Sequence, residues 1–362
     1  MDLKFIREKS FSMTRIAIDA MGGDHAPHEI VKGALWAADE YNVAIELVGK
    51  EDEIKKVIDE VKRDGIRTSN INSPKGRIRV DVDKLDIKIT PASEVIEMGE
   101  APGQAIRKKK DSSIVLAVKS VATGSSQAVV AAGSTGAAMA SSLFGLGRLP
   151  GIERPAIATT LPTMKTPVVL IDAGANSNCT AEMLYQFAIM GSAFSKNVLG
   201  MENPRIGVLN IGEEAGKGNE LAQAAYKLLE ENKDGLNFVG NVEGKEIFLG
   251  DCDVVVCDGF VGNVALKSIE GASSMLFKMI MQEFKRDPIS MIIGLLAKSA
   301  MKRIFKRINY EEFGGALLLG VKGITVISHG RSMAYAIKNA VRVAKEAVES
   351  DVNKKISEFY EG

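Results

Sequence analysis

Two turns in the C-terminal third of the chain carry side chains suited to acid-base and anion chemistry. Residues 258–263 read DGFVGN, and Lys267 follows four positions after Asn263. A helix that starts at this turn would present Asn263 and Lys267 on one face. Residues 328–332 read SHGRS, which combines an imidazole, a guanidinium and two hydroxyls. We predict four catalytic residues: Lys267, His329, Asn263 and Asp258.

These residue types suit a reaction between an anion and an activated carbonyl. A lysine ammonium can neutralise a phosphate as it attacks, and an arginine can hold an oxyanion through two parallel hydrogen bonds. A histidine can protonate a leaving thiolate near neutral pH. The cysteines, at positions 179, 252 and 257, have no histidine nearby in sequence. We therefore expect direct transfer rather than a covalent cysteine intermediate.

Two glycine-containing turns earlier in the chain are suited to holding an anion. Residues 19–27 (DAMGGDHAP) and 133–137 (GSTGA) each follow a strand-like run and precede a helical pattern. Glycine allows close backbone approach, and amides at a helix start attract negative charge. Asp24 could equally cap its helix, and His25 could equally be a surface residue. The predicted phosphate site includes Gly22, Gly23, Asp24, His25, Gly133, Ser134, Thr135 and Gly136.

Two further turns extend this predicted site. Residues 172–176 (DAGAN) close a buried strand, and residues 212–220 place opposite charges on one loop. The loop also suits a solvated segment with weak surface ion pairs, and that alternative stays open. The remaining predicted binding residues are Asp172, Asn176, Glu213, Lys217, Gly259 and Arg331.

The elements that position these turns alternate between short β-branched runs and amphipathic helical stretches. This order predicts an α/β protein, a three-layer α/β/α sandwich with a mostly parallel sheet. Ligands collect at the carboxyl ends of strands in such sheets, so we expect the turns to meet at one edge. We predict one domain over residues 15–348, with tails at 1–14 and 349–362. Two lobes that share a continuous sheet are the alternative.

Composition narrows the class of protein. The 362 residues contain 46 basic and 46 acidic side chains, so no overall field attracts nucleic acid. Three cysteines and three histidines occur in no spacing typical of a disulfide framework or a metal site. Neither a P-loop nor a dinucleotide-binding fingerprint is present. We expect a cytoplasmic protein that needs no cofactor and no metal.

The segment 284–308 is basic and amphipathic, and it contains seven Lys or Arg and one Asp. The pattern predicts a helix interrupted near its start by Pro288. Such a helix could lie on an anionic membrane surface, pack against a dimer partner, or attract an acidic carrier protein. The residues predicted to contact a membrane or partner are Ile289, Ile292, Ile293, Leu296, Lys298, Lys302 and Arg303.

Six motifs in order, DAMGGDHAP, AAGSTGA, DAGAN, the GEE turn with KGNE, CDGFVGN and ISHG, resemble the PlsX family of bacterial phosphate acyltransferases. The resemblance implies an enzyme of phospholipid synthesis that transfers a long acyl chain from acyl carrier protein to inorganic phosphate. The acyl phosphate would pass to a membrane acyltransferase that acylates glycerol 3-phosphate. The resemblance also implies a homodimer, a peripheral place on the inner membrane face, and a fold similar to phosphotransacetylases and isocitrate or isopropylmalate dehydrogenases.

Three other functions remain open from the residues alone. A short-chain phosphotransacetylase that uses coenzyme A thioesters would need the same cleft chemistry. An isocitrate-type oxidoreductase is disfavoured because the dinucleotide fingerprint is missing. A non-catalytic scaffold on the membrane would use the segment 284–308 without any of the predicted catalytic residues.

Overall fold

The structure is a computed structural model that describes residues 13–67, 77–233, 235–308 and 310–361. Short helical turns lie at Val82–Lys84, Glu246–Phe248 and Tyr310–Glu312. The strands are β1 (Arg15–Asp19), β2 (Ala44–Gly49), β3 (Ile66–Arg67), β4 (Arg77–Ile78), β5 (Ile87–Pro91), β6 (Ala128–Ala131), β7 (Ala156–Leu161), β8 (Val168–Ile171), β9 (Arg205–Asn210), β10 (Asn237–Glu243), β11 (Val254–Val256), β12 (Ala316–Leu319) and β13 (Ile324–Ile327). The helices are α1 (His28–Tyr41), α2 (Glu51–Asp64), α3 (Pro102–Lys108), α4 (Ser113–Ala122), α5 (Thr135–Leu146), α6 (Ala181–Asn197), α7 (Glu220–Glu231), α8 (Gly259–Glu283), α9 (Pro288–Ile308), α10 (Ala334–Glu349) and α11 (Val352–Glu361).

Eleven of these strands form one continuous, mostly parallel sheet in the order β10-β9-β11-β8-β7-β12-β13-β6-β1-β2-β5. Strand side chains alternate between the two faces. In β1, Ile16 and Ile18 pack into one apolar cluster, whereas Ala17 between them packs into another. Both faces are therefore covered, which confirms the predicted α/β class with helices on each side of the sheet.

The sheet consists of two parallel groups that run in opposite directions. Strands β5, β2, β1, β6 and β13 are parallel to one another, and β8, β11, β9 and β10 form the second group. Between them, β12 pairs antiparallel with β13 and β7, and β7 pairs antiparallel with β8. Three successive reversals make the second group antiparallel to the first. The expectation that all carboxyl ends share one edge of the sheet is therefore wrong.

The two groups nevertheless bring their carboxyl ends to the same level. Val326 pairs with Leu317, Leu317 with Ala158, and Ala158 with Ile171. Val326 is the penultimate residue of β13 and Ile171 is the last residue of β8. The carboxyl ends of the two groups therefore lie at the same level of the sheet, although the strands of the two groups run in opposite directions. The turns of both groups face a shared space over β7 and β12.

The C-terminal segment differs from its prediction. Residues 349–362 were expected to be a tail, but α11 occupies most of them, and Val352 and Ile356 are fully buried against the core. The burial of these two side chains makes α11 part of the domain. At the other end, β1 begins at Arg15, and residues 1–12 of the predicted N-terminal tail lie outside the described residues.

The segment that follows β11 forms a helical hairpin of α8 and α9. The Asp287 carboxylate accepts the amide hydrogens of Ile289 and Ser290, so it caps α9. Pro288 occupies the first position of α9 and starts the helix rather than interrupting it. The four predicted apolar contact residues are all exposed: Ile289, Ile292, Ile293 and Leu296. Across the residues described, every helix is too short or too polar to cross a bilayer.

Candidate active site

The glycine turns of the first strand group contact one another. The Asp24 amide donates to the Gly330 carbonyl oxygen at 2.8 Å. Gly23 has a φ of +110°, and a Cβ atom there would lie 2.9 Å from the Ala132 carbonyl oxygen. A Cβ atom on Gly22 would lie 2.9 Å from the Gly133 amide nitrogen. The turns that follow β1, β6 and β13 thus pack backbone against backbone, as only glycine permits.

The turn after β6 opens the helix α5. The Ser134 side chain accepts the amide hydrogen of Ala137 at 3.4 Å and caps this helix. Amides of the first helical turn have no partner within the helix, and they carry the positive end of its dipole. Thr135 is exposed at this start and lines a large cavity. The start of α5 can therefore receive an anion from the cavity.

In the second strand group, the turn after β8 is organised around the buried carboxylate of Asp172. Its Oδ1 accepts the amide hydrogens of Ile157, Gly174 and Ala175 at 3.0, 3.1 and 2.9 Å. Its Oδ2 accepts from the amide and the side-chain nitrogen of Asn176 at 2.8 and 2.9 Å. These five donors occupy the hydrogen-bond acceptor sites of both carboxylate oxygens. Asp172 and Asn176 therefore shape the turn.

The same turn positions the start of α8. The Gly259 amide donates to the Asn176 carbonyl oxygen at 2.7 Å. The Asp258 carboxylate accepts the amide hydrogens of Phe260 and Val261 at 2.9 and 3.0 Å, which makes it the N-cap of α8. Because the Phe260 and Val261 amides already donate to the Asp258 carboxylate, they are occupied by a side chain of the same helix terminus. Asp258 thus fixes the direction in which α8 leaves the sheet.

Asn263 and Lys267 lie four residues apart on α8 and are both exposed to the cavity. The Lys267 ammonium pairs with the Glu270 carboxylate, with an Nζ to Oε2 distance of 2.8 Å. A half-exposed ion pair of this kind is weak. Lys267 can therefore exchange this partner for an anionic substrate at little cost in free energy.

His329 follows β13 and faces the same space as Lys267. Its Nδ1 accepts the Arg331 amide hydrogen at 3.2 Å, so the neutral imidazole carries its hydrogen on Nε2. Burial lowers the pKa of His329 below its ordinary value of 6.5, and the charge of Lys267 lowers it further, whereas Glu270 opposes these effects. His329 is therefore neutral at pH 7 and presents an N–H donor.

One cavity of about 1330 Å³ joins these groups. Of the predicted site residues, four line it: Thr135, Asn263, Lys267 and His329. Arg331 and Asp24 lie near enough to His329 to act on its pKa. The predicted catalytic residue Asp258 is not part of the described lining. The same is true of these predicted binding residues: Gly22, Gly23, His25, Gly133, Ser134, Gly136, Asp172, Asn176 and Gly259.

The loop after β9 is placed apart from this cavity. Lys217 lies 4.0 Å from Glu214 in an exposed ion pair. The Glu213 carboxylate lies with those of Glu243 and Glu246 at the end of β10. Glu213 and Lys217 are both absent from the cavity lining among the described residues. The geometry fits the alternative of a solvated, charged loop.

The sequence prediction missed two features of the site. Glu270 pairs with Lys267 and lines the cavity, and its position three residues after Lys267 on a helix is the signal that could have revealed it. The central strand β7 contributes Thr159 and Thr160 to the lining. No motif in the sequence marks these threonines, because only the antiparallel insertion of β7 and β12 brings them to the cavity.

The cysteine thiols are poorly suited to nucleophilic attack. Burial raises the pKa of Cys179 to about 11 and that of Cys252 to about 12. The pKa of Cys257 is raised as well, chiefly by burial. The thiolate is the reactive form of cysteine, and these environments suppress it at neutral pH.

Known proteins resemble this chain in sequence and in fold. The sequence profile of the family described as "Fatty acid synthesis protein" matches residues 14–355. The "Phosphate acyltransferase" of Dictyoglomus turgidum is 50% identical over 345 residues, covering 95% of this chain and 97% of that protein. That of Heliobacterium modesticaldum is 51% identical over 348 residues, covering 96% and 98%. A phosphotransacetylase from Streptococcus pyogenes has a similar fold, with a TM-score of 0.59 at 15% identity and coverage of 93% and 94%. The chain therefore belongs to the fatty acid synthesis protein family, that of the bacterial phosphate acyltransferases.

Proposed function

We propose that this phosphate acyltransferase takes a long-chain acyl group from the thioester of acyl carrier protein and joins it to inorganic phosphate. The acyl phosphate then serves the acylation of glycerol 3-phosphate in phospholipid synthesis. The observation that carries the proposal is a single cavity lined by Lys267, Asn263, His329 and the start of α5. These groups can bind an anion and assist a leaving group side by side. Enzyme and substrate class follow from the family, and the carrier and pathway are our inference.

The reaction needs little beyond placement and charge neutralisation. An oxygen of HPO₄²⁻ attacks the thioester carbonyl carbon, a C–O bond forms, and the C–S bond breaks as the electron pair leaves with sulfur. The proton of the attacking phosphate passes to the sulfur, and the Nε2–H of the neutral His329 imidazole donates a hydrogen bond to that sulfur as the C–S bond breaks. The products are acyl phosphate and a free thiol. Holding both reactants in line supplies most of the acceleration expected for such a step.

Each side of the cavity has a distinct part in this mechanism. The amides at the start of α5 and the Lys267 ammonium hold the phosphate, and Asn263 on the same face of α8 donates to it or to the carbonyl oxygen. The exposed Arg331 guanidinium lies beside His329 and is placed to meet an oxyanion. The raised pKa values of the cysteine thiols support direct transfer without an acyl-cysteine intermediate.

We infer further that α9 contacts a membrane surface or a second copy of this chain in a homodimer. Its apolar side chains are exposed, with Ile292 61% and Leu296 79% accessible. Basic residues accompany them, including Lys298, Lys302 and Arg303. Flotation with anionic liposomes tests the membrane contact: Ile292→Glu with Ile293→Glu should abolish lipid binding. Sedimentation of the same variant reports the oligomeric state, and unchanged lipid binding would dismiss the membrane role.

The enzymatic proposal is tested by incubating the purified protein with palmitoyl carrier thioester and phosphate and measuring freed thiol and acyl phosphate. Both products should appear in equal amounts and depend on phosphate. A short-chain phosphotransacetylase would instead prefer acetyl coenzyme A. A scaffold would release no thiol with any thioester, which would refute the proposal.

A further inference from the structure

The cavity extends well beyond the groups that would perform the chemistry. Past Glu270, the residues by which α8 lines it are small or apolar: Ala272, Ser273, Ser274, Leu276 and Phe277. The same space is lined by Leu161 at the end of β7, by Met164 in the segment that follows, and by Ile304 and Phe305 of α9. Arg307 is the charged residue that α9 adds. The space between the α8–α9 hairpin and strands β7 and β12 is thus an apolar arm of the reactive cavity.

The arm has a definite direction and a boundary. Lys267 and Phe277 are ten residues apart on α8, which corresponds to about 15 Å along the helix axis. At that distance the rings of Phe277 and Phe305 meet edge to face, with centroids 4.2 Å apart. This pair joins α8 to α9 and closes the hairpin across the arm. A linear ligand whose reactive end lies at Lys267 would reach the aromatic pair with its other end.

We propose that this arm binds the hydrocarbon chain of the acyl donor and that the Phe277–Phe305 pair limits the chain length accepted. The inference rests on the proposed function, because a fatty acyl thioester supplies both the reactive carbonyl and the chain. An acyl chain is favoured over a partner helix because the arm is continuous with the cavity that holds Lys267 and His329. Each methylene buried there adds about fourfold to binding.

The test compares turnover of octanoyl, dodecanoyl and palmitoyl thioesters on one carrier protein. The wild-type kcat/KM should rise from octanoyl to dodecanoyl, whose extended chain is about as long as the arm, and should not rise further for palmitoyl. Ser273→Phe fills the arm, and it should lower kcat/KM for palmitoyl relative to octanoyl by at least tenfold. Lys278→Phe is the matched control, since Lys278 lies on the same helix and outside the lining. It should leave that ratio within about twofold of wild type.

Other outcomes separate this inference from the proposed function. If no thioester is consumed, the proposed function fails. If turnover is normal but Ser273→Phe affects all chain lengths equally and changes the oligomeric state, the arm is a contact between two copies and our assignment is wrong. Phe277→Ala provides a second variant should Ser273→Phe not fold. It should increase turnover of palmitoyl relative to dodecanoyl, and an unchanged ratio would overturn the length limit.

Discussion

The two strand groups build the same cavity with different chemistry. The first group presents backbone in glycine turns, where Gly22, Gly23 and Gly330 pack against neighbouring main chain. The second group uses buried or capping carboxylates, Asp172 and Asp258, to hold a turn and a helix start. The packed turns of the first group hold the start of α5, where Thr135 lines the cavity. In the second group, the Asp172 and Asp258 carboxylates bind backbone amides of their own turns. Asn263 and Lys267 of α8 line the cavity there.

This difference separates residues that shape the site from residues that meet substrate. A carboxylate next to a bound phosphate would repel it, but Asp172 is fully buried and engaged with five donors. Lys267 is half exposed and bound to Glu270 by a weak pair. Substitutions in the shaping set should therefore change stability first, and substitutions in the exposed set should change turnover first.

The strongest test of this division is Asp172→Ala. Removing the carboxylate leaves several buried amides without an acceptor, so the free energy of unfolding should fall by about 3 kcal/mol. Urea denaturation followed by circular dichroism measures the change. Asp172→Asn keeps one acceptor oxygen and should lose less. If the unfolding curves of both variants matched that of the wild type, Asp172 would not be a residue that stabilises the fold of the site.

Lys267→Met should lower turnover and leave stability unchanged, the opposite of what we expect for Asp172→Ala. Losing a cation that neutralises the attacking phosphate should lower kcat/KM for phosphate by about a hundredfold, with unfolding unchanged. Steady-state measurement of thiol release gives the value, and Lys278→Met on the same helix is the control. Activity within about threefold of wild type would show that the phosphate binds elsewhere.

The glycine turns are tested by Gly23→Ala. The residue has a positive φ, and a Cβ atom would lie 2.9 Å from the Ala132 carbonyl oxygen, so the turn must shift. We expect a loss of about 2 kcal/mol in unfolding free energy together with weaker phosphate binding. Gly99→Ala, where a Cβ atom meets nothing within 4 Å, is the matched control. Equal effects of the two substitutions would contradict the close packing of the turns.

The smallest expected effect concerns the titration of His329. Its pKa is lowered by burial and by Lys267, so the imidazole is neutral above pH 6.5 and its titration should not change activity there. Activity should fall as the pH drops through the lowered pKa, because a protonated Nδ1 cannot accept the Arg331 amide hydrogen. Lys267→Met should raise the pKa and Glu270→Gln should lower it. Nuclear magnetic resonance titration of the imidazole would settle the signs, and shifts in the same direction would refute the placement of both charges.

Local sequence was sufficient to locate the turns but not to rank their roles. The Gly-Gly and Gly-Ser-Thr-Gly motifs indicated close backbone approach because glycine alone tolerates it, and the spacing of Asn263 and Lys267 indicated a shared helix face. The carboxylates were harder to interpret. Asp172 and Asp258 resemble ligands in the sequence, yet their partners are amides two to fifteen positions away, which become visible only once the turns are folded.

Periodicity and turn chemistry in the sequence alone determined the α/β class and the helix that carries Lys267, because these depend on contacts between near neighbours. Tertiary structure decided the rest. The antiparallel insertion of β7 and β12 turns two opposed strand groups toward one cavity. The folded chain also buries Val352 and Ile356 of α11, and the described cavity lining does not include Glu213 or Lys217. The insertion depends on the pairing of β12 with β7, whose paired residues lie more than a hundred positions apart, and no local pattern records that pairing.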